Sequence, residues 1–238
     1  MLRHRGKKRT FLHNIRLAAI LSFVAGMVNI CGLLGMKTLT TNVTGHFAFF
    51  AEELVLAEYS AALLFLLSIL AFLAGAFTAS LLSGFVMLRK PEHAHILPMV
   101  IETVILFWVG LQNEGQPDAA FLAILLLFAM GIQNSLVTTV SSAVVRTTHL
   151  TGLFTDLGIE LSQLILYRSP DDVRKLRRSI FLRTCIIMCF FAGGIAGGFL
   201  YMDRGLQALH LAMALVIVAL VYDNIRYRLF SLRRKIRK

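Results

Sequence analysis

Acidic residues are scarce in this chain: 13 Asp and Glu stand against 24 Lys and Arg, a formal net charge of +11 over 238 residues. A basic excess raises nucleic acid as a partner, but no basic face with interleaved aromatics is present, so none is expected. The positive charge instead gathers at Arg3, Arg5, Lys7, Lys8 and Arg9, at Arg174, Lys175, Arg177 and Arg178, and from Arg226 to Lys238. Each cluster flanks a hydrophobic run, where Lys and Arg hold a loop on the cytoplasmic side and meet anionic headgroups. Cysteine is also scarce. Cys31, Cys185 and Cys189 lie inside apolar runs, and their odd number excludes a disulfide framework. Cys185 and Cys189 share a helix face but lack further ligands, so they read as packing residues. With no His-x-x-x-His or Cys-x-x-Cys pattern, neither a metal nor a cofactor is expected. No Walker, Gly-x-Ser-x-Gly or dinucleotide sequence occurs, so no catalytic residue is assigned.

Hydrophobic residues make up 57% of the chain, prolines number only four and the mean hydropathy is +0.74. Soluble domains average about 45–50% apolar residues. A single integral membrane domain over 1–238 follows, with the lipid bilayer as its principal partner. A bilayer-spanning helix needs about 20 mostly apolar residues. Residues 15–36, 60–88, 96–112, 119–140, 179–202 and 206–223 satisfy this. The first run follows a basic stretch, as in a signal peptide, but it is long and no small-x-small cleavage site follows. It is expected to be retained as the first transmembrane helix.

Two further segments are polar. Thr41-Asn42-Val43-Thr44-Gly45 is followed by Glu53-Leu54, and Thr148-His149-Leu150-Thr151-Gly152 by Glu160-Leu161 at the same offset. Upstream, Gly26-Met27-Val28-Asn29 matches Gly131-Ile132-Gln133-Asn134, and Ala74-Gly75-Ala76 matches Ala192-Gly193-Gly194. These matches predict an internal repeat, 15–112 and 119–223, in an all-α helical bundle. The polar stretches 37–42 and 138–147 are expected to be non-helical. The segments 43–57 and 148–167 either cross, giving eight transmembrane helices, or are re-entrant half-helices beside six full crossings. Six crossings place Arg89, Lys90 and Arg146 inside with both termini and leave Lys37, Arg204 and the acidic loop 113–118 outside, which obeys the positive-inside rule better. The two halves then run in opposite directions, as in transporters whose site lies between inverted repeats.

The candidate substrate-binding residues are Asn29, Asn42, Thr44, Gly45, Gln133, Asn134, Thr148, Thr151 and Gly152. A half-helix N-terminus capped by a threonine offers free N–H groups to an anion or carbonyl oxygen. The amides either line a cavity or simply bond helix to helix. Asp156 and Glu160 sit four residues apart on one helix face. If both were ionised they would repel, so one can hold a proton; the plainer reading pairs them with Arg146 or Arg183. Glu53 matches Glu160, while Phe49 stands where Asp156 would. Gly193, Gly194, Gly197 and Gly198 form a small-residue face for close helix packing, which can also serve a homodimer.

On Asn42-Val43-Thr44-Gly45-His46, Gly131-Ile132-Gln133-Asn134 and Thr148 through Asp156, the chain resembles the YoaK family of bacterial inner-membrane proteins, a domain of unknown function. The resemblance covers nearly the whole chain. His46 stands where the family pattern has Asn, and Met27-Val28-Asn29 departs from its acidic Val-Asp. It implies a multi-pass membrane protein of the inner membrane and no established activity. The function expected from the residues is a carrier of a small polar solute. The alternatives are an intramembrane or lipid-modifying enzyme, and a scaffold or sensor without transport.

Overall fold

The computed structural model describes residues 11–112, 118–141, 144–166 and 169–236, with side chains as far as Tyr222. The basic cluster at Arg3 to Arg9, loop residues 113–117 and the charged side chains from Arg226 onward lie outside the described residues. Eight α-helices follow one another: α1 (Phe11–Met36), α2 (Val43–Val55), α3 (Tyr59–Arg89), α4 (Ile96–Gly110), α5 (Ala119–Ser141), α6 (Leu150–Leu166), α7 (Pro170–Arg204) and α8 (Leu209–Ile236). Short 3-10 turns at Pro91–His93 and Gly205–Ala208 lead into α4 and α8. Among the described residues there is no strand.

Among the described residues, five stretches are long and apolar enough to cross a membrane: Phe11–Met36, Tyr59–Arg89, Pro91–Gly110, Ala119–Ser141 and Pro170–Tyr222. The last runs 53 residues and takes in both α7 and the described side chains of α8. Helices α2 and α6, with 13 and 17 residues, are not among them. Two boundaries depart from the expectation. The stretch from 138 is helical as far as Ser141, whose hydroxyl accepts from Val145 N–H (3.0 Å) and so holds the chain as it leaves the helix. The basic segment before 179 is helical from Pro170, because Pro at the first position and Asp171 and Asp172 in the first turn favour a helix start.

Contacts along the helices set their relative directions. Helices α1 and α7 run together: Phe11 meets Phe181 with ring centroids 6.3 Å apart, Phe23 meets Gly193, Ile30 meets Gly198, and Gly35 lies against the Tyr201 hydroxyl. Helix α8 turns back from α7, and its first turn meets the last turn of α4, His210 lying 5.7 Å from the Phe107 ring. Helix α4 therefore runs with α1. The end of α3 meets the start of α4 through the Ser83 hydroxyl and the Ala94 carbonyl (2.9 Å). The end of α4 meets the start of α5, where Trp108 packs edge-on to Phe121. So α3 and α5 both run against α1.

Two close crossings hold the bundle. In each of four helices a Phe precedes a Gly by three residues: Phe23 and Gly26 in α1, Phe72 and Gly75 in α3, Phe128 and Gly131 in α5, Phe190 and Gly193 in α7. A Cβ on Gly26 would collide with the Phe190 carbonyl, and one on Gly193 with the Phe23 carbonyl. At the other crossing, Gly75 faces the Phe128 carbonyl and Gly131 the Phe72 carbonyl in the same reciprocal way. Lipid offers helices no hydrophobic drive to associate, so van der Waals contact between bare backbones, with Cα–H groups near carbonyl oxygens, supplies it. Most of the large fully buried side chains, among them Leu17, Leu21, Met27, Leu126 and Met130, sit on α1 and α5 at the centre. Phe77, Phe85, Phe199 and Met202 are exposed on α3 and α7, the long outer helices.

Candidate functional site

Both Thr-Gly segments are anchored by the same kind of bond. Asn29 lies seven residues before the end of α1, about 10 Å by helical rise. Its Oδ1 accepts from the Thr41 hydroxyl (2.9 Å) and the Thr41 N–H (3.2 Å). Asn134 also lies seven residues before the end of its helix, α5, and its Oδ1 accepts from the Thr148 hydroxyl (3.1 Å). Each connection thus folds back along the helix it has just left. At the first, Lys37 takes a left-handed φ of 54° and Thr38 N–H returns to the Gly32 carbonyl (3.2 Å). Beside each anchored threonine is another, Thr40 and Thr147, fully buried and with a hydroxyl that has no partner among the described residues.

Asn42, rather than a threonine, caps α2: its Oδ1 accepts from Gly45 N–H (3.1 Å). A Cβ on Gly45 would stand 3.0 Å from the Asn42 amide nitrogen, and one on Gly152 would strike the His149 ring. Each glycine leaves room for the side chain three residues before it. Thr44 and Thr151 are exposed. His46 is buried, and its Nε2 donates to the Leu39 carbonyl (2.7 Å), pinning the loop from the other side. Gln133 joins the two central helices, its Nε2 donating to the Leu21 carbonyl (3.0 Å) while its buried Oε1 has no partner.

The two short helices meet their long neighbours differently. In the second segment, Arg183 of α7 sits between the carboxylates, with Nη1 2.6 Å from Asp156 and Nε 2.9 Å from Glu160. Ser179 donates to the remaining Glu160 oxygen (2.5 Å). In the first segment the same hairpin contact is aromatic: Phe49 stacks on Phe65 at 5.3 Å, and His46 tilts against Phe65 at 5.9 Å. A shared guanidinium removes the repulsion between Asp156 and Glu160, which makes the triad a helix–helix tie. The structure gathers Asn29 with Thr41, Asn134 with Thr148, and Asp156 with Glu160 and Arg183; α2 packs against α3 and α6 against α7.

A groove of about 510 Å³ opens between α1 and α7, lined by Gly26, Asn29, Ile30, Gly194, Gly198 and Phe199. Of the four glycines on the small-residue face, Gly193 and Gly197 pack against α1, and Gly194 and Gly198 line this groove.

Glu102 is not among the residues that the repeated motifs single out. It is fully buried in α4, neither carboxyl oxygen has a partner among the described residues, and Met99 and Leu106, one turn to either side, are equally buried. The signal was present: one acid in an apolar span is costly in a bilayer and ordinarily functional. Ser22 on α1 is likewise buried with a free hydroxyl.

Double-mutant cycles on the two anchors have unequal expected outcomes. Asn134→Ala loses one hydrogen bond and should cost about 1 kcal/mol, whereas Asn29→Ala loses two and should cost about 2 kcal/mol. Adding Thr148→Ala or Thr41→Ala to the matching variant should cost little more, read as the midpoint of detergent unfolding. Full additivity within either pair would mean that the bonds do not exist in the folded protein.

Long apolar helices with bare-backbone crossings, lipid-facing outer surfaces and buried polar ties define a polytopic α-helical membrane protein. Residues 17–222 match the family described as protein of unknown function (DUF1275), and the chain belongs to it. The resemblance to the YoaK family agrees with this membership. No curated protein and no solved structure matches the chain.

Proposed function

We propose that the protein carries a small polar solute across the bacterial inner membrane, and that its two halves, 15–112 and 119–223, are inverted repeats. The observation that carries this reading is helix direction. Helix α3 runs against α1, so the connection containing α2 leaves and returns at one face of the membrane. Helix α7 runs against α5, so the connection containing α6 does the same at the other face. That supports six crossings with two re-entrant half-helices, each packed on the long helix after it, with its leading loop fixed to the helix before it by an asparagine. The reciprocal crossings of α1 with α7 and α3 with α5 are what an exchange of the two halves would produce.

Solute contact is assigned to the buried polar groups the fold leaves unmatched: the Thr40 and Thr147 hydroxyls next to the anchored threonines, Gln133 and Glu102. A settled apolar core would not keep such groups, since an unpaired buried acceptor costs about 1–3 kcal/mol. Proton coupling is assigned to Glu102, because Asp156 and Glu160 already share a cation. The competing scaffold reading rests on the bonds that Asn29, Asn42 and Asn134 make locally. It predicts no solute.

Two experiments test the proposal. In a cysteine-free background, Lys37→Cys and Arg204→Cys should react with an impermeant maleimide in intact cells, and Arg89→Cys and Arg146→Cys only after permeabilisation. Labelling of Arg146→Cys in intact cells would remove the six-crossing reading. Metabolite profiles of cells lacking and over-producing the protein should show one small polar solute moving in opposite directions, followed by its uptake into proteoliposomes. Unchanged profiles would favour the scaffold.

A further inference from the structure

We propose that the groove at the N-terminal end of α7 binds the phosphate headgroup of an anionic phospholipid. The groove, about 500 Å³, is lined by Arg174, Arg177 and Arg178 together with Phe11, Pro170 and Phe181. Positions 174, 177 and 178 are three and four residues apart, so the guanidiniums project from one face of the helix. Among the described residues none of the three has an acidic partner. The neighbouring Lys175 does, lying 3.8 Å from Asp172. Among the described residues the groove therefore keeps a concentration of unneutralised positive charge, with Asp171 three positions before Arg174 in the sequence.

Position selects a lipid over a soluble anion. Phe11 and Phe181, with centroids 6.3 Å apart, begin the apolar lengths of α1 and α7, and the Arg178 guanidinium lies 5.9 Å over the Phe11 ring. Charged and apolar walls thus meet at the level where a glycerol backbone joins its phosphate, the place where basic pockets between membrane helices take acidic headgroups. Planar guanidiniums match phosphate oxygens through paired donors. The site stands apart from Thr40, Thr147, Gln133 and Glu102 and does not depend on what the bundle carries.

The test is lipid retention by the purified full-length protein, measured by native mass spectrometry after incubation with phosphatidylglycerol or phosphatidylcholine. The wild type should retain phosphatidylglycerol preferentially. Each of Arg174→Gln and Arg177→Gln should weaken retention about fivefold, from roughly 1 kcal/mol per basic residue, and the triple variant with Arg178→Gln about a hundredfold. Lys175→Gln, whose charge is already paired, should change little. Should the triple variant not fold, the two single variants carry the test. Equal retention of both lipids, or Arg174→Gln and Arg177→Gln indistinguishable from wild type, would overturn the proposal. So would displacement of the lipid by inorganic phosphate at comparable concentration, which would identify a site for the free anion.

Discussion

Gly26→Ala, Gly75→Ala, Gly131→Ala and Gly193→Ala should each lower the detergent-unfolding stability by about 1–3 kcal/mol, the cost of forcing a methyl into close packing. The obstacle at each is a backbone carbonyl on the facing helix. A carbonyl cannot rotate away as a side chain can, so the helices must separate. Leucine at any of the four should prevent the bundle from assembling. Gly84→Ala and Gly158→Ala provide the contrast, because nothing lies within 4 Å of a Cβ at either position. Those two variants should be neutral or slightly stabilised, since alanine is the better helix former. Gly26→Ala and Gly193→Ala act on one crossing, so their combined cost should fall short of the sum. Gly26→Ala and Gly131→Ala act on different crossings and should add. Equal effects at Gly26 and Gly84 would falsify the crossing geometry.

Glu102→Met should stabilise the fold and, under the carrier function proposed above, abolish transport. Both carboxyl oxygens are buried without a partner, and such groups cost about 1–3 kcal/mol, which an apolar side chain of similar length recovers. Glu102→Gln should give no such gain, because it exchanges one unmatched polar group for another. The packing around α4 contains few other charges. Helix α5 has no titratable residue, α3 carries only Tyr59 and Arg89 at its ends, and the described part of α8 has His210 and Tyr222. His210 meets the Phe107–Gly110 end of α4, about 8–12 Å along the helix from Glu102. A group retained against its own cost to stability marks function more firmly than the Asp156–Glu160–Arg183 triad, where each charge is answered. If Glu102→Met instead destabilises the protein as the crossing glycines do, the carboxyl has a partner and its role is structural.

Much of the fold was legible because the bilayer imposes it. Six apolar runs of sufficient length can hardly be anything but helices in lipid, where every backbone group must be satisfied within its own segment. Asn29 and Asn134 stood out for the same reason, as amides that need a partner. Their partners, Thr41 and Thr148, lay within the very motifs that had been singled out, yet the pairing was hidden because the chain must first reverse at the helix end. The sequence pointed to a threonine as the cap of α2; that Asn42 takes this place depends on where the chain enters the helix. Arg183 was foreseen as one of two partners for Asp156 and Glu160, and only the register of α6 on α7 separates it from Arg146.

By itself the sequence determined the medium, the helices and the two polar interruptions, because composition and run length are local properties set by transfer from water to lipid. Tertiary structure alone decided which glycines touch which carbonyls, that Glu102 lies where nothing answers it, and which way each helix runs relative to α1. The crossings depend on contacts between residues some 50 to more than 160 positions apart, such as Phe72 with Gly131 and Phe23 with Gly193. The Phe-x-x-Gly pattern was present in four helices all along. It acquires meaning only when two such helices cross with nothing but backbone between them.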